Sequence, residues 1–176
     1  MNDFPKLLDP DQALARELFD QLAEAMGAGD DSRAVYGEGE GAAQDILRRA
    51  GEFLDLEVHS DAALNLYLTY PGADRERPVV VIGGYLDAPL SQETQAARRE
   101  ATQKDKSSLT PTGGAVGVVA GIAVFAGFRR LDFTPPCDIT IMAMRGGEAA
   151  WFDRAHIGAY AAFGELKDKM LAARRR

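Results

Sequence analysis

Pro78-Val79-Val80-Val81-Ile82-Gly83-Gly84-Tyr85-Leu86-Asp87-Ala88-Pro89 (residues 78–89) is the stretch that decides the fold class. Val79–Ile82 is an unbroken β-branched run, the pattern of a strand covered on both faces. Gly83-Gly84 ends it. Downstream, residues 115–130 (AVGVVAGIAVFAGFRR) are almost all apolar and small, which predicts a buried helix whose glycines allow close packing. Asp138–Met144 alternates and then runs apolar, a second core strand, and Gly146-Gly147 breaks it. Strand, helix and strand in this order predict an α/β fold with a mixed, mostly parallel sheet flanked by helices.

The upstream segments fit the same scheme. Asp9-Pro10-Asp11-Gln12 has the form of a capped helix start. Leu14, Leu18, Leu22 and Met26 then recur every four residues as one apolar stripe. Residues 28–40 are rich in glycine and acid and read as a loop. Gly41 to Leu54 is a second helix with Ile46, Leu47, Ala50, Phe53 and Leu54 on one side. Leu56–His59 is a short strand, and Asn65–Tyr70 alternates with Leu66, Leu68 and Tyr70 on one face. Residues 91–109 are a polar loop or exposed helix, and Glu165–Arg174 is a last helical stretch.

With 176 residues, 46% of them apolar, the chain suits one domain with a real core. It divides into an N-terminal helix and acidic loop (1–35), a core (36–165) and a C-terminal helix with a basic tail (166–176). A single cysteine, Cys137, excludes an internal disulfide and a Cys-rich zinc site, and two histidines, His59 and His156, argue against a His-rich metal centre. The net charge is −7: residues 1–57 carry −9 and residues 58–176 carry +2. An acidic chain argues against nucleic acid as a partner. No apolar run reaches the ~20 residues of a membrane span, and the N-terminus lacks a secretion-signal pattern, so the expectation is no membrane and a cytoplasmic location.

Ligands of open α/β sheets bind at the carboxyl ends of strands. Two such ends are readable, at Tyr85-Leu86-Asp87 and at Arg145-Gly146-Gly147-Glu148, with Thr112-Gly113-Gly114 opening the helix between them. The glycines match neither a P-loop nor a dinucleotide fingerprint. Asp87 and Glu148 are candidates for paired carboxylates, or equally for a turn-capping and a solvated side chain. Residue types alone give no catalytic constellation.

Four pieces in order resemble the catalytic domain of the zinc-dependent hydantoinase/N-carbamoyl-L-amino-acid hydrolases, in the aminoacylase/carboxypeptidase clan. Asp61-Ala62-Ala63-Leu64-Asn65-Leu66 is similar to that family's D-A-A-G-N-L, and residues 78–89 resemble its strand ending in G-S-H-L-D-T-V-P. Residues 113–124 (GGAVGVVAGIAV) resemble D-G-A-L-G-V-L-A-G, and 139–152 (ITIMAMRGGEAAWF) resemble a strand ending in E-E-G-A-R-F. The resemblance implies the N-terminal part of a zinc aminopeptidase-like catalytic domain, without the lid domain.

The resemblance also implies where metal and base should stand. The first His position is Tyr85, the bridging Asp position is Gly113 and the general-base position is Gly147. Glu148 matches a ligand Glu, and Asp87 matches the Asp that orients the first His. Zinc needs at least three good protein ligands. The expectation is therefore no metal, no cofactor and no catalytic residue, with Tyr85, Asp87, Gly113, Gly147 and Glu148 lining a remnant pocket. Asp87 to Gly113 spans 26 positions where the family has a short loop. A sheet that lacks later strands exposes an edge, and an edge invites pairing. The expected role is a non-catalytic subunit of a complete amidohydrolase-like partner, or a homo-oligomer. The alternatives are a shared active site in a heteromeric amidohydrolase and a small-molecule binding module.

Overall fold

A computed structural model describes residues 4–25, 36–86, 113–147 and 158–164, with side chains from Pro10 onward in the first segment and from Ala115 onward in the third. The elements are α1 (Phe4–Ala25), α2 (Glu38–Phe53), β1 (Glu57–Ser60), β2 (Leu66–Tyr70), β3 (Val80–Tyr85), α3 (Gly113–Arg130) and β4 (Ile139–Met144), followed by a helical turn at 158–164.

The sheet order is β1-β2-β4-β3. β1 and β2 form a hairpin in which Val58 faces Leu68, and β2 pairs antiparallel with β4, Leu68 opposite Ile141. Among the described strands only β3 and β4 run parallel, Ile82 beside Ile141. The sheet is mixed, but mostly antiparallel rather than mostly parallel. The physical reason is the short Asp61–Asn65 turn, which can join only antiparallel neighbours, whereas α3 supplies the long crossover that a parallel pair needs.

Alternation along the strands sorts two cores. Leu66, Leu68, Tyr70, Ile141 and Ala143 face the helices and pack with Leu18, Leu22, Leu47, Val118, Ile122 and Phe125. Each such fully buried side chain contributes about 1.5–3 kcal/mol. Tyr67 and Met142 point to the opposite face and meet Ala162 of the 158–164 turn. Thr69 and Thr140 lie side by side there and share a 2.8 Å hydroxyl hydrogen bond. α1 packs against both α2 and α3, and Asp11 forms a short ion pair with Arg130 across that contact.

Three expectations need correction. α1 begins at Phe4, so Pro10 lies inside the helix rather than at its start. Phe53 does not join the apolar side of α2 and is 85% exposed, because α2 ends there and Leu54, not Phe53, turns inward. Most consequentially, Val79–Ile82 is not covered on both faces. β3 is an outer strand, and Val79, Val80 and Ile82 are each more than 40% exposed. The register places Val80 and Ile82 on the helix side of the sheet. They stay exposed at the outer side of the sheet, although α3 packs against β3 as well as β4.

The stretches 91–109 and 165–174, the basic tail and His156 lie outside the described residues. His59 is exposed on the β1 edge, stacked on Tyr67 with ring centroids 4.5 Å apart. No described helix is long and apolar enough to cross a membrane.

Candidate functional site

β3 and β4 end together. Tyr85 pairs with Met144, and the Leu86 N–H donates to the Met144 carbonyl at 3.1 Å. Tyr85 is half-buried at this end. Gly113 opens α3, whose Gly117 passes close to the Gly83 carbonyl. Gly147 lies just beyond β4, after Gly146 with φ 67°. Of the five expected pocket residues, Tyr85, Gly113 and Gly147 are thus placed at strand or helix ends, while Asp87 and Glu148 lie outside the described residues.

A polar network that residue types did not single out occupies the same end of β4. Arg145 follows β4 directly, and its guanidinium turns toward the first turn of α2. Its Nε donates to Glu40 Oε2 at 2.6 Å, with the two side chains only 8% and 1% exposed. The same oxygen accepts the Tyr36 backbone N–H at 2.7 Å. The Tyr36 ring lies over the guanidinium, 4.7 Å from its carbon, and its hydroxyl donates to the Ala63 carbonyl. Tyr36 holds this position with φ 58°, a left-handed conformation that costs a non-glycine residue about 1 kcal/mol or more.

Asn65 is the hub that ties this network to the sheet. Fully buried, it accepts the Arg145 N–H on Oδ1 at 3.0 Å. Its Nδ2 donates to Asp61 Oδ2 at 2.7 Å and to the Gly158 carbonyl at 2.9 Å. Asp61 in turn accepts the Ala63 and Asn65 N–H groups and the Tyr67 hydroxyl. Gln44 of α2 reaches the Leu64 and Ala143 carbonyls. One side chain therefore joins the β1–β2 turn, the end of β4 and the 158–164 turn. The sequence signal was partial: Asn65 and Arg145 border apolar runs, where burial demands partners, whereas Glu40 stands in a stretch rich in glycine and acid.

The described donor set does not fit a zinc or manganese pair. Gly113 and Gly147 offer no side-chain ligand, and Tyr85 offers one phenol oxygen where an imidazole is implied. Among the described residues no group of three His, Cys, Asp or Glu comes together.

No protein-family model matches the chain, and no curated protein matches it. Solved structures do. AtUAH in complex with (S)-hydroxyglycine superposes with a TM-score of 0.67 at 22% identity, covering 86% of this chain and 33% of its own. A hydantoinase/carbamoylase family amidase from Burkholderia ambifaria gives 0.63 at 22% identity, over 88% of this chain and 36% of that one. A glutaminyl cyclase from an Acidobacteriales bacterium gives 0.54 at 14% identity, over 89% and 54%. The fold is thus that of the zinc-peptidase-like amidase catalytic domains, as the four motifs implied. The chain spans about a third of the length of the amidases that it matches.

Proposed function

We propose that the chain is a non-catalytic, amidohydrolase-like subunit that supports or regulates a partner enzyme acting on carbamoyl, hydantoin or other C–N amide bonds. The observation that carries this reading is the pairing of an amidase-like fold, over the part of those enzymes that this chain spans, with glycine at positions 113 and 147. A glycine side chain can neither hold a metal nor take a proton from water, so these two positions cannot supply the bridging ligand and the base that the resemblance implies. The outer strand β3 supports the same reading. It carries no charge, no proline and no bulge to discourage strand addition, and it leaves Val80 and Ile82 exposed.

Native mass spectrometry of the complex isolated from the protein's own cells tests the proposal. The expected result is a complex with an amidase-like chain that carries the metal. Replacing Val80 and Ile82 with lysine should release this chain from it and lower the partner's amidase activity. A lone chain, or turnover of an N-carbamoyl amino acid by the purified chain with zinc or manganese, would overturn the reading.

A further inference from the structure

Arginine carries five N–H donors in a fixed plane. In Arg145 the Nε–H is spent on Glu40 and one face of the plane on the Tyr36 ring. Nη1 and Nη2 meet no acceptor among the described residues, and neither is sealed from solvent. A side chain that is more than nine-tenths buried thus keeps some solvent contact along its outer, two-donor edge. We infer that this edge is a binding site for a small carboxylate ligand, which would accept one hydrogen bond from each amino group.

Three features favour a carboxylate. The two Nη groups form a planar fork that matches its paired oxygens, and such charge-assisted bidentate contacts are about twice as strong as neutral ones. The fork is held in advance by the Arg145 N–H on Asn65, by Glu40 and by Tyr36. A rigid receptor loses little entropy on binding. The guanidinium also stands at the carboxyl end of β4, where ligands of open α/β sheets bind. Glu40 already balances the guanidinium charge, so the fork would recognise a carboxylate by its paired hydrogen bonds rather than by net charge, which disfavours the more highly charged phosphate. This binding needs neither a partner chain nor a metal, and it goes beyond the subunit reading above.

The test is an NMR titration of the full chain, labelled with nitrogen-15, followed at the Arg145 side-chain Nε–H and the Asn65 and Gly158 amides. Acetate is the probe, acetamide the neutral isostere, and chloride holds the ionic strength constant. We expect a saturable shift with acetate, with a dissociation constant of about 1–10 mM, and none with acetamide. Arg145→Lys keeps the charge but loses the fork, and should weaken binding at least tenfold. No saturable acetate shift at Arg145, equal shifts with acetamide, or undiminished binding in Arg145→Lys would each overturn the inference. Should Arg145→Lys fail to fold, the acetate–acetamide comparison on the unaltered chain decides alone.

Discussion

Arg145 and Glu40 lie 105 positions apart in sequence and meet as an ion pair in the interior, Nε to Oε2 at 2.6 Å. Removing one partner strands the other's charge away from water, at a cost of about 3–5 kcal/mol. Arg145→Met should therefore destabilise the protein by about that amount. The double substitution Glu40→Leu/Arg145→Met should cost clearly less than the two singles together. Urea unfolding of the four proteins forms the cycle, and strict additivity would show that the pair is not coupled.

Leu64 sits at φ 61° in the β1–β2 turn and is half exposed. The similar family motif has glycine there, and only glycine adopts this conformation without strain. Leu64→Gly should stabilise the chain by about 0.5–1 kcal/mol, despite glycine's greater unfolded freedom. A lower urea midpoint would mean that Leu64 packs more usefully than its exposure indicates.

Two helical glycines of α3 should respond oppositely to a methyl group. At Gly121 a Cβ would stand 2.6 Å from Ile141 Cδ1. Gly121→Ala should lose about 1–3 kcal/mol through overpacking, and Ile141→Val should recover part of it. At Gly117 the nearest atom is 3.9 Å away. There alanine should gain up to about 1 kcal/mol from helix propensity. Thermal midpoints of the three variants would decide.

Arg75 bridges Glu57 and Asp138 on the surface, with both of its Nη groups on the Glu57 carboxylate. Its hydrogen bonds hold the Glu57 pKa below the usual glutamate value. A carboxyl with a lowered folded-state pKa stabilises fully above its unfolded pKa and loses that contribution as pH falls through the folded value. Wild type should thus lose stability on the acid side more steeply than Glu57→Gln. Both partners are about half exposed, so the difference should be small and should fade near 1 M salt, where the Debye length is ~3 Å. Matching acid limbs at low salt would count against the bridge.

Periodicity made much of this fold readable in advance. Leu18 and Leu22, the alternation of Leu66, Leu68 and Tyr70, and Ile141 and Ala143 in the run into Met144 all face the core they implied. Position in the sheet was not readable, because an apolar run such as Val79–Ile82 reads the same whether its strand is central or outermost. Strand direction failed for a related reason: it follows from connection length, and the tight Asp61–Asn65 turn decides it for the hairpin. The motifs fixed where Tyr85, Gly113 and Gly147 fall along the chain. The Glu40–Arg145–Asn65 network stayed hidden as a unit: Asn65 and Arg145 border apolar runs, but Glu40 sits in an acid-rich stretch, and only the fold brings the three together.

β2 lies between β1 and β4, and all five of its residues are buried. Its second partner arrives late: Thr69 and Thr140, joined by their hydroxyls, are 71 positions apart. On a ribosome adding ~5–20 residues per second, β2 waits roughly 4–14 s before β4 exists. During that interval the β1–β2 hairpin can lean on α1 and α2, which are already made, but its second edge stays bare until β4 arrives.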